Sequence, residues 1–148
     1  MQYYKTIQLK DGRACCLRNA KEADSAAALA NFILTHEQTD YLLTYPDENT
    51  MTAEDESRFL KAKTESRSEI EILAEVDGVV VGLAGIDAVG DKHKIRHRAD
   101  FGISIDNVMV KHFCNIYGSK NAEWLSLVYW DCLVYPAIRA SYGVRYPL

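Results

Sequence analysis

The sequence has no apolar run approaching the roughly 18 residues that a membrane-spanning helix needs, and no signal-peptide stretch near its start. It has no basic excess either. Its 17 Lys and Arg stand against 21 Asp and Glu, a net charge of −4, which argues against a general nucleic-acid binder. Cysteines are few and unpaired in pattern: Cys15, Cys16, Cys114 and Cys132 form no C-x-x-C motif, so reduced thiols are expected rather than a disulfide scaffold. No H-E-x-x-H, G-x-x-x-x-G-K or G-x-S-x-G motif occurs, which removes the usual zinc-hydrolase, P-loop and serine-hydrolase readings. What remains is a single cytoplasmic domain of 148 residues, with no metal, nucleic-acid or membrane partner expected.

The strongest local pattern lies at 69–105. Residues 69–76 and 79–86 are β-rich runs joined by Asp77 and Gly78, a pair suited to a type I′ turn with positive φ at both central positions. After the polar break at Gly90, Asp91 and Lys92, residues 94–105 read as a third strand of an antiparallel meander. In that strand the basic residues of 92–98 would be an exposed strand face, with His93 and His97 about 13 Å apart, too far to share a metal ion. Nearer the start, residues 3–9 and 14–17 form a hairpin turned at Asp11 and Gly12. Asn19 with Glu22 offers a capping box for a helix over 23–34, with Ala26, Ala30 and Ile33 on its apolar side. A second helix over 53–66 is capped by Thr52 with Asp55, and Phe59 and Ala62 form its apolar side. The order β-β-α-α-β-β-β indicates an α/β (α+β) fold with a mixed, largely antiparallel sheet.

Composition changes at 107. Residues 107–148 hold 8 of the 15 aromatics but only 6 of the 38 charged residues. A helix over 122–135, stopped by Pro136, is favoured there, and a strand remains the alternative.

With these elements placed, residues 1–106 resemble the GNAT superfamily of acyl-CoA-dependent N-acetyltransferases. The resemblance rests on Cys16, Leu17, Arg18, Asn19 and Ala20 followed by Glu22, Ala23 and Asp24; on the stretch from Tyr41 to Glu48; on Val81 and Gly82; and on the stretch from Arg98 to Ile105. It implies an acyltransferase fold moving acetyl from acetyl-CoA, the co-substrate, to the primary amine of a small molecule or peptide by direct attack. In that family Ile103, Ser104 and Ile105 would hold the thioester arm. Asp100 or Glu37 would assist amine deprotonation, Tyr142 would protonate the leaving thiolate, and Tyr41 and Tyr45 would line the acceptor pocket. The family's Q/R-x-x-G-x-G/A loop, whose N–H groups hold the cofactor diphosphate at a helix start, is not recognisable after Asp106. Gly118, Ser119, Lys120 and Asn121 are the nearest residual phosphate loop. Residues 107–148 are therefore an atypical tail, and a replaced or frame-shifted continuation is one account of them.

A second reading belongs to another class. The chain would be a non-catalytic GNAT-like module whose aromatic tail, including Trp124, Tyr129, Trp130 and Tyr135, forms a homodimer or partner interface.

Overall fold

The structure is a computed structural model. It describes residues 2–114 apart from positions 40, 41, 43, 91 and 96, with the backbone alone for 46 and 111–114. Five strands and three α-helices follow in the order β1 (Tyr4–Gln8), β2 (Ala14–Asn19), α1 (Ser25–Glu37), α2 (Ala53–Glu65), β3 (Ile70–Val76), β4 (Val79–Ala88), β5 (Ala99–Ile105) and α3 (Asn107–Cys114). The strands form one sheet in sequence order, and every neighbouring pair is antiparallel. The expected order of elements up to β5 is the observed one.

Local chemistry explains the turns. Asp77 and Gly78 have φ of 52° and 79°, as a type I′ hairpin requires. Gly12 has φ of 86° in the β1–β2 turn, where its N–H donates to Leu9 O at 3.0 Å. Between β3 and β4 the register slips, with Ala74 opposite Gly82 and Glu75 opposite Val80, so Val81 is the extra residue of a bulge. The Val81 carbonyl accepts the Asp106 N–H at 2.9 Å, which ties that bulge to the end of β5.

The central strands β3 and β4 are buried on both faces. On one lie Cys15, Leu17, Ile70, Ile72, Ala74, Val76, Ala84 and Ile86, joined by Met109 of α3 and by the half-buried Phe101, Ile103 and Ile105. On the other, Leu73 and Leu83 pack with Ala28 of α1 and Leu60 of α2. A fully buried Leu60 or Leu73 side chain contributes about 1.5–3 kcal/mol.

Four expectations are corrected. Asn19 is not a helix cap: it belongs to β2, and its Oδ1 accepts the Tyr3 N–H at 2.6 Å. Asp24 opens the helical segment instead, accepting the Lys21 N–H at 2.8 Å while Arg18 grips its carboxylate at 2.7 and 2.9 Å. The inward face of α1 is Ala28, Asn31, Thr35 and His36, whereas Ala26, Ala30 and Ile33 face solvent. Thr35 and His36 are satisfied within the helix, whereas Asn31 Nδ2 donates to Val80 O at 3.3 Å and its Oδ1 has no partner among the described residues. Thr35 Oγ1 donates within reach of Asn31 O (2.9 Å) and Phe32 O (3.0 Å), and His36 Nδ1–H donates to Phe32 O at 2.7 Å. On α2 the buried residues are Glu56, Leu60 and Lys63, not Phe59 and Ala62. Lys63 is buried because its ammonium meets Asp87 and the Ile86 carbonyl at 3.0 Å.

The fourth correction concerns 92–98. The described residues of this segment lie in turns outside the ladder, with Ile95 N–H on Lys92 O and Arg98 N–H on Ile95 O, both at 2.8 Å. β5 begins only at Ala99.

Candidate active site at the end of β5

β5 is the last strand of the sheet among the described residues, so one of its edges faces no described strand. Its register with β4 runs without interruption from Ala88 opposite Ala99 to Gly82 opposite Ile105. The bonds at the two ends fix which amides point where. Val89 N–H donates to Arg98 O at 3.1 Å and Asp106 N–H to Val81 O at 2.9 Å. In an antiparallel ladder hydrogen-bonded pairs alternate. Asp100, Gly102 and Ser104 therefore spend their N–H groups on β4, while Ile103 and Ile105 direct theirs to the open edge. The side chains of Ile103 and Ile105 meanwhile anchor the strand in the larger core cluster. Ser104 departs from its two neighbours: its amide is consumed by the ladder, and its side chain shares the α1/α2 face with Leu83.

The open edge ends abruptly in a closed corner. Asp106 caps α3, its Oδ1 accepting the Val108 N–H at 3.0 Å and its carbonyl those of Met109 and Val110 at 2.8 and 3.1 Å. The Asn107 N–H donates to Gln38 Oε1 at 2.8 Å. The first four N–H groups of α3 thus all have protein partners. Gln38, just past the end of α1, completes the lock: its Nε2 donates to Asp106 Oδ1 at 3.0 Å, and its carbonyl accepts from Asn107 Nδ2 at 3.3 Å. A carboxylate and a glutamine amide occupy the positive end of the helix dipole, where an anion would otherwise gain.

These contacts test the fit of coenzyme A. Amides with no described partner along an apolar strand edge suit a pantetheine arm. The α3 start does not suit a diphosphate, since its donors are taken and its cap is acidic.

The other anticipated site residues scatter. Asp100 is exposed near the far end of β5 and stands opposite Asp87 of β4. Glu37 is the exposed last residue of α1, next to Gln38 and so beside the β5–α3 corner. Six residues of extended strand separate Asp100 from Asp106, roughly 20 Å, so Glu37 and Asp100 lie at opposite ends of β5. Ile103 is roughly 10 Å from Asp100 along the strand. Tyr45 is 62% exposed, ahead of a short 3-10 turn in which its N–H donates to Glu48 Oε2 at 2.8 Å. Tyr41, Gly118, Ser119, Lys120, Asn121 and Tyr142 lie outside the described residues, as do the aromatic tail and the 122–135 helix. Among the described residues no group of three His, Cys, Asp or Glu is placed to hold a metal ion. None of their helices is long and apolar enough to cross a membrane.

Gln38 and Asp106 went unremarked in the sequence. Asp106 carried a readable signal, an N-cap residue directly after an apolar strand. Gln38 carried none, because its partners lie far along the chain.

No protein-family model matches the sequence, and no curated protein does. Solved structures do match. The GNAT-family acetyltransferase of Streptococcus pneumoniae superimposes with a TM-score of 0.68 at 22% identity, over 86% of this chain and 69% of that one. The ribosomal-protein-alanine N-acetyltransferase of Brucella melitensis gives 0.58 at 20% identity, over 84% and 68%. YncA of Salmonella typhimurium, whose structure holds its cofactor acetyl-CoA, gives 0.59 at 16% identity, over 84% and 64%. The chain spans about two thirds of the length of these proteins. Its fold is that of the GNAT acetyltransferases, an α/β fold built on this antiparallel sheet.

Proposed function

We propose that the chain is a GNAT-type N-acetyltransferase that moves acetyl from acetyl-CoA to a primary amine. One observation carries the reading: β5, the last described strand of a GNAT-fold sheet, turns the Ile103 and Ile105 amides to an edge that no described strand covers. Thioester aminolysis needs donors aimed at the carbonyl oxygen where negative charge develops, and preorganised main-chain N–H groups serve that need without reorganising. Asp100, on the same strand and exposed, is the favoured carboxylate for taking the amine's proton through water. Direct attack of the amine, a small-molecule or peptide acceptor, and Tyr142 as proton donor to the thiolate belong to this proposal. In it the cofactor's phosphates are held by Gly118, Ser119, Lys120 and Asn121 rather than by the start of α3.

The closed corner at Asp106 favours a second reading, a non-catalytic GNAT-like module that dimerises or binds a partner through its aromatic tail. Calorimetry with two ligands separates them. A transferase binds acetyl-CoA at micromolar affinity, about −8 kcal/mol, and binds acetyl-pantetheine, which lacks the nucleotide, more weakly but measurably. The module binds neither. Lys120→Glu weakens acetyl-CoA alone if its loop holds phosphate; unchanged affinity removes that loop from the site.

A further inference from the structure

We propose that the loop joining β4 to β5 docks an acidic polypeptide segment. As an exposed strand face, the basic residues of this loop would need no partner, since charge there keeps a sheet edge from pairing. The loop is not a strand. Its described residues lie in turns, and it is closed at its base by the Val89 N–H on Arg98 O at 3.1 Å. Ile95 is the half-buried member of the loop, and it packs so closely over Gly90 that a Cβ there would lie 2.9 Å from Ile95 Cδ1. With Ile95 turned in, Lys92, His93, Lys94, His97 and Arg98 are all exposed. Lys92, Lys94 and Arg98 form no ion pair with any described residue. A chain with net charge −4 has thus gathered cations on the described residues of one loop.

The chemistry favours carboxylates over nucleic acid. The patch is one loop wide, and the strands at its base carry Asp87 and Asp100 directly opposite each other. A phosphate backbone running beyond the loop would meet those like charges, whereas a short run of Glu or Asp ends before them. The loop also has no Phe, Tyr or Trp on which bases could stack. The proposal stands apart from the transferase reading, since it concerns binding alone.

The test uses the full-length chain and a fluorescent decaglutamate peptide at low ionic strength. The peptide binds, and the Lys92→Glu/Lys94→Glu variant weakens binding about tenfold or more, as removal of steering and pairing charges does. The milder Lys92→Gln/Lys94→Gln variant gives a smaller loss in the same direction. Lys5→Glu/Lys10→Glu, which changes net charge equally on the opposite side of the sheet order, stays within about twofold. An unchanged melting curve shows that the loop variants fold. Absence of peptide binding overturns the proposal. So does an equal loss in the Lys5/Lys10 variant, and so does tighter binding of a ten-nucleotide thymidine strand than of the peptide.

Discussion

The two sides of Asp106 solve the same problem in opposite ways. Before it, the outer edge of β5 leaves the Ile103 and Ile105 amides without strand partners among the described residues; after it, the first four N–H groups of α3 are all filled from within the chain. An orphan amide is a binding site only while it stays orphaned. On the proposed transferase reading, the contrast puts the acyl arm at the strand edge rather than at the start of α3. Within the described residues the five strands pair in sequence order, and Asp106 closes β5 with a cap that needs no glycine loop.

The largest expected effect breaks the open side. Ile103→Pro removes an N–H that the ladder does not use, a substitution that edge strands accommodate. In a transferase it lowers kcat/KM about 100- to 1,000-fold, the usual cost of one lost oxyanion donor, with only a modest fall in Tm. Steady-state assays on a panel of amines check this. A rate within a few-fold of wild type would show that this edge does not polarise a carbonyl.

A slightly smaller effect probes the frame behind the strand. Glu71 of β3 sets its carboxyl over Gly85 of β4, where a Cβ would lie 2.4 Å from Oε2. Burial is the main reason its pKa is pushed up to about 8; Lys63 pulls it down, while Asp87 and Glu56 add to the rise. The native state therefore keeps a proton that the unfolded chain releases near the ordinary value of 4.5. Stability from this group is full below pH 4.5, falls as pH rises toward 8, and is level above that. Glu71→Gln flattens the profile and gains on the order of 3 kcal/mol at pH 8. Urea titrations at pH 5 and pH 8 measure it, and parallel losses in both proteins would refute the assignment.

Ser104→Pro is the counterpart of the Ile103 change, one residue along on the paired side. It deletes a ladder donor and orphans the Leu83 carbonyl, at about 1–3 kcal/mol. Stability should fall more than with Ile103→Pro. The reverse ranking in thermal melts would mean that the alternation along β5 has the other phase.

Much of this frame was legible before any coordinates. Asp77 and Gly78 announced their hairpin and Thr52 with Asp55 their cap, because both are local chemistry in which neighbours decide the backbone. The helix faces were not legible. Periodicity counts apolar residues, but α1 turns Asn31, Thr35 and His36 inward and α2 turns Lys63 inward; Thr35 and His36 bond to carbonyls one turn back, while Asn31 Nδ2 and the Lys63 ammonium use Val80 O, Ile86 O and Asp87, which only tertiary structure supplies. Residues 92–98 misled for a related reason: alternating charge fits an exposed strand, and the close approach of Ile95 to Gly90 that folds them into turns has no periodic signature. At the site, apolar Ile103 and Ile105 marked the strand, while the phase of its hydrogen bonds depended on Val81 of β4 and on Val89 just past its end. The corner lock depended on Gln38, remote in sequence from Asp106 and Asn107.

The smallest change bears most directly on the closed side. Asp106→Ala removes the cap from α3 and one partner of Gln38, at about 1 kcal/mol of stability. It also withdraws a negative charge from the positive end of a helix and frees the Val108 N–H. If the corner lies within reach of the cofactor's diphosphate, affinity for acetyl-CoA rises in this variant while affinity for acetyl-pantetheine holds, because only the former carries phosphate. If both affinities stay at their wild-type values while Tm falls as expected, Asp106 is a cap and nothing more. The phosphates must then be held by residues beyond α3, and the division at 106 marks the boundary between the part that grips the acyl arm and the part that anchors the nucleotide.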